Sequence, residues 1–325
     1  GWRSGSKNVT EAWGKARQTG RFTDVSFIIG CEDVKQIFHA HKCVLAFGSP
    51  VFEAMFYGPM QEKNNPITIV GMNPAAFENL LRCLYAETIH LEDESCAFDT
   101  YEAAERYDVP QLGIECEEYI SRVVNYKTVW TILTKALFFN MYKAKDASLN
   151  FISKNAQKLL LSKEFKNVTL EAVQKILQCR RLEISEYKLL HALTEWAIAN
   201  KENGSLKELL KEIHFDKISA GDFCKFTEDY PDVFSTTDAL ALMKHIQNPI
   251  YKKPDWCSSI FIREATEEII FDVHESNAGI SVFQGSNTVR SGIRSALNIV
   301  TLAPAFYSRS GFQGYNTGRM EYIRL

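Results

Sequence analysis

Two histidines and a cysteine lie close together in the stretch HAHKCVLAFGSPVFEAMFYGPMQEK, residues 39–63. His39, His41 and Cys43 carry the imidazole and thiol groups that bind zinc in proteins. A zinc site needs three or four convergent ligands, and the paired Cys and His spacings of known zinc motifs do not occur in this sequence. Cys43 also belongs to an apolar run that is typical of a helix. The pattern favours core packing or local hydrogen bonding for these histidines, and we predict no metal site.

A catalytic role for the same residues is also disfavoured. His41 would need a nucleophile, and no Ser or Cys of the chain stands in a strand-turn-helix elbow or on a suitable Gly-rich turn. The glycines of GFQGYNTG, residues 311–318, resemble a phosphate-binding loop in composition only. They lack its lysine and its position between a strand and a helix. We therefore predict that the protein is not an enzyme and binds no cofactor.

Composition narrows the class of protein further. The 37 Lys and Arg residues nearly balance the 40 Asp and Glu residues, and the basic residues are dispersed, which argues against a nucleic-acid partner. No apolar run is long enough for a membrane span or a signal peptide, so we expect no membrane partner. The eight cysteines never form a Cys-x-x-Cys pair, which favours reduced thiols in the cytoplasm or nucleus.

Hydrophobic periodicity predicts the elements that position residues 39–63. The segment NVTEAWGKARQTG predicts a short amphipathic helix that ends at Gly20. In FTDVSFIIG, Val25, Phe27 and Ile29 alternate with other residues as in a strand, and GCED predicts a turn into a second strand. Ser49 and Asn73 each precede a proline, which predicts a helix start at each of these positions. The first part of the chain is therefore predicted to be an α+β unit.

The sequence pattern changes twice in the rest of the chain. From residue 125 to about residue 250, helical apolar periods follow one another, which predicts an all-α array. After residue 250, β-branched residues and glycines alternate, which predicts a β-rich tail. The predicted boundaries are 1–21 for the leading helix, 22–124 for the α+β unit, 125–250 for the helical array and 251–325 for the tail.

Several segments together resemble a known family. FTDVSFII, FHAHKCVLAFGSPVFEAMFYG, ITIVGMNPAAFENLLRCLYAETIHL and AAERYDVPQL are similar, in this order, to the BTB/POZ domain across its whole length. LEISEYKLLHALTEWA resembles the BACK domain that follows BTB in many such proteins. The chain is most similar to BTBD-type proteins, in which BTB and BACK precede a PHR β-sandwich. EEIIFDVHESNAGISVFQGS resembles the opening strands of PHR, so the tail is interpreted either as a truncated, diverged PHR-like segment or as an unrelated β-rich segment.

The resemblance implies a binding site for cullin-3. In BTB adaptors that recruit this cullin, a loop after the third helix carries a hydrophobic-x-Glu motif, and the letters MQE match it. The implied cullin-binding residues are Met60 and Glu62, together with Phe56, Tyr57 and Tyr107. The alternative is that Met60 and Tyr107 pack within their own domain while Glu62 is merely solvated.

Dimerisation is a second implication of the resemblance. In the family, the leading helix and the first strand pack across a two-fold axis. The implied dimer interface consists of Val9, Trp13, Ala16, Phe22 and Asp24. Trp13 is the residue expected to contribute most, and the alternative for Trp13 is packing within its own domain.

The family therefore implies a homodimeric, non-enzymatic adaptor. It would recruit cullin-3 through BTB and present a protein substrate, of unknown identity, for ubiquitin transfer by a RING partner. The expected location is the cytoplasm, with the nucleus as a second location. The alternative is a BTB scaffold or transcriptional co-regulator that dimerises without binding a cullin.

Overall fold

The chain folds as a mixed α+β region followed by a helical region. A computed structural model describes residues 6–31, 34–200 and 206–257. All of these residues belong to one compact unit, Gly1–Ile269. The elements of the first region are α1 (Val9–Gln18), β1 (Val25–Cys31), β2 (Val34–Ala40), α2 (Lys42–Gly48), α3 (Pro50–Tyr57), β3 (Ile67–Ile69), α4 (Pro74–Leu84), α5 (Glu94–Arg106) and α6 (Pro110–Arg122).

The second region consists of helices joined by short turns. Its α-helices are α7 (Val129–Phe138), α8 (Tyr142–Lys154), α9 (Ala156–Leu160), α10 (Leu170–Leu177), α11 (Glu186–Ala199), α12 (Leu206–Leu210), α13 (Ala220–Asp229) and α14 (Thr236–Gln247). Short 3-10 helices lie at Lys163–Asn167, Phe215–Lys217 and Asp255–Cys257. This confirms the predicted order of an α+β unit and an all-α array.

The sheet of the first region has the strand order β2-β1-β3. β1 pairs with β2 in antiparallel register, with Phe27 opposite Phe38, and with β3 in parallel register, with Phe27 opposite Ile67. Val25, Phe27 and Ile29 are buried, while the residues between them are partly exposed. The predicted hairpin and its alternation are therefore confirmed, because successive strand residues point to opposite faces.

The core of the first region is built on aromatic side chains. The ring centroid of Phe27 lies 5.8 Å from that of Phe52 and 5.2 Å from that of Phe77. All three side chains are fully buried. Tilted and edge-on ring pairs at these distances are favourable, and burying each side chain is worth roughly 1.5–3 kcal/mol.

Two predicted helix starts have the expected capping geometry. The Ser49 hydroxyl accepts a hydrogen bond of 3.2 Å from the main-chain N–H of Phe52, and the Asn73 side chain accepts one of 3.0 Å from Ala75. Each helix has proline in its first turn. A side-chain cap satisfies an N–H group that has no partner within the helix, and its loss typically costs about 1 kcal/mol.

The helical region has its own core around Trp196 on α11. This side chain is fully buried, and its indole N–H donates a 2.8 Å hydrogen bond to the carbonyl oxygen of Val168. Leu193 and Phe165 belong to the same apolar cluster. The buried indole therefore has a partner for its polar group, as a buried tryptophan requires.

A smaller apolar cluster joins the two regions. It contains Phe98 on α5 and Ile120 on α6, together with Ile132 and Met141 at the first helices of the second region. Because residues of both regions share this buried cluster, α5 and α6 pack against α7 and α8.

Most of the predicted tail, residues 258–325, lies outside the described residues. Among the helices that the structure does describe, none combines the length and the apolar character needed to cross a bilayer.

Candidate protein-docking surfaces

The loop after α3 presents Met60 to solvent. α3 ends at Tyr57, and the N–H of Gly58 donates a 3.0 Å hydrogen bond to the carbonyl oxygen of Ala54. A Cβ at position 58 would lie 2.4 Å from that oxygen, so the close turn requires glycine. The Met60 residue that follows is 94% exposed. The turn therefore leads the chain away from α3 and leaves the methionine without cover from its own domain.

Glu62 fixes the far end of this loop. Its main-chain N–H donates a 2.8 Å hydrogen bond to the carbonyl oxygen of Met55, and its Oε1 accepts a 2.8 Å hydrogen bond from the N–H of Asn64. The loop is thus held at both ends by main-chain hydrogen bonds to α3. Met60 lies between these two anchors, which limits the conformational entropy that the loop would lose on binding.

Tyr57 and Phe56 are neighbours in sequence but differ in exposure. Tyr57 is exposed, whereas Phe56 is 3% exposed and packs against Phe27 and Phe52. Positions 52 and 56 are four residues apart and face the core together, while position 57 lies about 100° further round the helix. The prediction that Phe56 contacts a partner directly at the surface is therefore wrong, because its ring belongs to the core.

Tyr107 is also a core residue. It is 3% exposed, and its ring stacks on Phe52 with the centroids 4.4 Å apart. Burial raises the pKa of the Tyr107 hydroxyl to about 12. Its carbonyl oxygen accepts a 2.5 Å hydrogen bond from the hydroxyl of Ser49, which ties the end of α5 to the start of α3. The predicted surface role of Tyr107 is therefore wrong, and this residue supports α3 from below.

A buried arginine docks α1 on its own domain. The Arg17 guanidinium contacts both carboxylate oxygens of Glu78 and one of Glu87, at 2.9 Å each. Burial alone would lower the pKa of Arg17, but its hydrogen bonds and charge interactions with Glu78 and Glu87 raise it overall. Gly14 lets Glu87 approach, since a Cβ at position 14 would lie 2.4 Å from Glu87 Oε1.

This docking decides which residues of α1 remain available. Ala16 is buried against its own domain, so its predicted place in a dimer interface is wrong. Val9 and Phe22 are exposed. Trp13 is partly exposed and packs edge-on against His41, with ring centroids 5.1 Å apart. Interface roles for Val9, Trp13 and Phe22 stay predictions.

Asp24 is exposed but has a local role. Its Oδ1 accepts a 2.7 Å hydrogen bond from the main-chain N–H of Lys42, at the start of α2. A carboxylate at a helix N-terminus accepts a hydrogen bond from an N–H group that has no partner within the helix. Its negative charge also interacts favourably with the helix dipole. An interface contact for Asp24 also stays a prediction.

The histidines of residues 39–63 have local partners. His41 is buried, with Nδ1 at 2.7 Å from the hydroxyl of Tyr85 and Nε2 at 2.8 Å from the carbonyl oxygen of Arg21. Because a carbonyl oxygen only accepts, Nε2 must carry a proton. His39 is exposed, with Nδ1 at 2.9 Å from the Ser26 hydroxyl. Across the described ranges, no group of three or more His, Cys, Asp or Glu side chains could hold a metal ion.

Comparison with known families separates the chain into two matched parts. Residues 14–124 match the BTB/POZ domain, and residues 129–228 match BACK (BTB And C-terminal Kelch). The chain contains a BTB/POZ domain followed by a BACK domain. The α+β region is its BTB domain, and the helical array from α7 onward contains its BACK domain.

Curated relatives of this BTB-BACK protein include three vertebrate BTB/POZ proteins. The chain is 33% identical over 176 residues to BTB/POZ domain-containing protein 6-B of Danio rerio, which covers 54% of this chain and 36% of that protein. It is 30% identical over 199 residues to BTB/POZ domain-containing protein 6 of Homo sapiens, covering 61% and 37%. It is 30% identical over 174 residues to BTB/POZ domain-containing protein 3 of Homo sapiens, and this alignment covers 54% of this chain and 33% of that protein. The match therefore spans about a third of the length of these relatives.

Sequence reasoning did not single out Phe47, which is the most exposed of the large apolar residues described in the BTB domain. Phe47 on α2 is 96% exposed, whereas Leu45, two positions earlier, is fully buried. Two positions correspond to about 200° on a helix, so these side chains point to opposite sides. The signal was present in the sequence, because an apolar residue opposite the buried face of a short helix must face solvent or a partner.

Two further aromatic residues lie at the start of the BACK domain. Phe138 at the end of α7 and Tyr142 at the start of α8 are both exposed. The helical periodicity of α7 and α8 predicts that their other apolar residues belong to the core. It gave no reason to single out Phe138 and Tyr142.

Proposed function

We propose that this BTB-BACK protein is a substrate-recruiting adaptor of a cullin-3 RING ubiquitin ligase. The observation that carries the proposal is the exposed Met60, held on a loop anchored at both ends, with exposed Tyr57 beside it. Position and residue type match the hydrophobic-x-Glu motif that resemblance to cullin-binding BTB adaptors implies. The protein supplies docking surfaces, and the ubiquitin transfer belongs to its partners.

The chemistry of the loop suits an apolar groove on a partner. Methionine is unbranched and polarizable, so it adapts to pockets of irregular shape. Burying Met60, now 94% exposed, would contribute roughly 1.5–3 kcal/mol. Glu62 would lie at the rim of such a contact, where a charge affects orientation and association rate more than affinity. Phe56 and Tyr107 would act from below, by fixing the position of α3.

The adaptor is proposed to be a homodimer. Val9, Phe22 and Phe47 are strongly exposed apolar residues near the start of the BTB domain, and Trp13 is partly exposed. An isologous interface would bury the same side chains on both protomers, so the apolar surface of each protomer would be removed from water. The same surface would serve a BTB scaffold that binds no cullin, so dimerisation alone does not distinguish the two functions.

The proposed location is the cytoplasm, with the nucleus as a second location. Seven described cysteines are free thiols, among them the exposed Cys43 and Cys224. Exposed thiols are compatible with a reducing compartment, where disulfides are rare.

The proposal is tested by binding to the N-terminal domain of cullin-3. Titration calorimetry with the purified full chain should give saturable binding for the wild type. Met60→Glu should weaken it about 30-fold or more, because a charge replaces the central apolar anchor. Val70→Glu is the matched control, since Val70 is an exposed apolar residue of the same domain outside the loop.

The outcomes separate the two candidate functions. Equal binding by the wild type and Met60→Glu would show that the loop is not the contact. No binding by a wild-type protein that is still dimeric would overturn the adaptor function in favour of the scaffold.

A further inference from the structure

The BACK domain contains a cavity of about 330 Å³ that lies away from the docking surfaces of the BTB domain. It opens between the end of α9, the 3-10 helix Lys163–Asn167 and one face of α11. Lys188, Ala192 and Glu195 line it at helical spacings of four and three residues, so they share this face of α11. Ligand-binding cavities in proteins start at roughly 300 Å³, so this one has room for a single large side chain.

The floor of the cavity is apolar. Leu160, Leu161, Phe165 and Ala192 line it. Phe165 and Ala192 are buried parts of the BACK core, whereas Leu161 at the rim is half-exposed. An occupant would therefore contact a buried hydrophobic floor and a partly exposed apolar edge.

The charged side chains around the cavity opening differ in whether they are already paired within the protein. Glu195 is already paired, because Lys166 Nζ lies 2.8 Å from its Oε2 and the Tyr230 hydroxyl donates a 2.6 Å hydrogen bond to its Oε1. These hydrogen bonds lower the pKa of Glu195, so it remains a carboxylate with both oxygens occupied. The negative charge of Glu195 is thus compensated within the protein.

Lys163 and Lys188 are different. Both line the cavity, and among the described residues neither ammonium group makes a hydrogen bond or an ion pair. The nearby Glu164 carboxylate is held mainly by a main-chain N–H and the Ser162 hydroxyl, which lower its pKa, while the charge of Lys163 contributes less. Two ammonium groups therefore flank an apolar cavity, one on the 3-10 helix and one on α11.

We propose that this cavity binds an acidic peptide segment of a partner protein. One apolar side chain of the peptide enters the cavity, and carboxylates on either side of it pair with Lys163 and Lys188. Charge complementarity selects the acidic peptide, and the apolar floor selects a residue such as Leu or Phe between its carboxylates. The site is independent of cullin binding, since it uses no residue of the loop after α3.

Fluorescence anisotropy tests this with labelled pentapeptides Gly-Glu-X-Glu-Gly, where X is Leu, Phe or Trp, titrated with the full chain. At least one should bind saturably, and the matching peptides with Lys in place of Glu should not. The double variant Lys163→Glu, Lys188→Glu should weaken binding about tenfold or more, since two attractive charges become repulsive. The variant Lys163→Arg, Lys188→Arg should retain binding, because both charges remain.

A matched control is the double variant Lys127→Glu, Lys244→Glu, which changes net charge equally at two exposed lysines outside the cavity lining. It should bind the acidic peptides like the wild type. The proposal is overturned if no acidic peptide binds, if both double Glu variants weaken binding equally, or if citrate competes as well as the peptide. The last result would show that the apolar floor takes no part.

Discussion

The BTB and BACK domains differ in where they place their large apolar side chains. The BTB domain leaves Met60 and Phe47 almost entirely exposed, although its aromatic core around Phe27 is complete. From α9 to α13 the BACK domain buries its phenylalanine and tryptophan residues, including Trp196 and Phe223, and its cavity is bordered by lysines. The BTB surface is thus suited to apolar partners, and the BACK cavity to partners that bring negative charge.

The difference also separates stability from binding within the BTB domain. On α3, Phe52 and Phe56 face the core, while Tyr57 and the following Met60 face solvent. Met60 is exposed in the monomer and contributes little to folding, so stability does not account for its position on the loop beside Tyr57. Docking to a partner is the explanation that the anchored loop favours.

The largest effect is expected from replacing a core residue. Phe52→Ala should lower the free energy of unfolding by about 3–5 kcal/mol, because it removes a fully buried ring and leaves a cavity. Met60→Ala should change it by less than about 0.5 kcal/mol, since Met60 is exposed. Chemical denaturation of the full chain followed by circular dichroism measures both. A loss well above 1 kcal/mol for Met60→Ala would show that this methionine supports its own fold.

An intermediate effect is expected at the proposed dimer surface. Phe47→Asp should weaken dimerisation by about 2–3 kcal/mol, because it places a charge on each side of an apolar interface. Sedimentation velocity over a range of concentrations measures the monomer-dimer equilibrium. Ile37→Asp is the matched control, since Ile37 is an exposed apolar residue on β2. An unchanged equilibrium for Phe47→Asp would remove α2 from the interface.

Much of the fold could be predicted because local patterns and tertiary packing agree. The alternation of Val25, Phe27 and Ile29, and the caps at Ser49 and Asn73, are short-range signals that the structure preserves. The exposure of each candidate site residue was harder to predict. Phe56 lies next to Tyr57 in sequence, and only the helix phase set by the packing of α3 separates a core residue from a surface one.

Long-range polar contacts were outside the reach of periodicity. Arg17 is buried because Glu78 and Glu87, which are more than 60 residues away in sequence, converge on its guanidinium. This pairing orients α1 and buries Ala16, which the family resemblance had placed in a dimer interface. The BACK cavity is similarly out of reach of periodicity, because Lys163 and Lys188 come from elements separated by α10.

The smallest expected effect concerns pH and the paired carboxylate of the BACK cavity. The pKa of Glu195 is lowered from its ordinary value of 4.5 in the folded protein. Its pairs with Lys166 and Tyr230 therefore stabilise the fold above the unfolded-state pKa, and this contribution is lost as the pH falls through the lower, folded-state value. Because the side chain is partly exposed, solvent screening limits the contribution to less than about 1 kcal/mol.

Glu195→Gln should therefore reduce the free energy of unfolding at pH 7 but not at a pH below the folded-state pKa, where the wild type has already lost the contribution. Urea denaturation at a series of pH values measures this convergence. Glu208→Gln, which removes an exposed carboxylate paired with Lys211, gives the background for losing a surface charge. A constant difference between wild type and Glu195→Gln at every pH would show that the loss comes from packing. In that case the charge of Glu195 would not be compensated as proposed, and the balance of charges around the cavity would have to be revised.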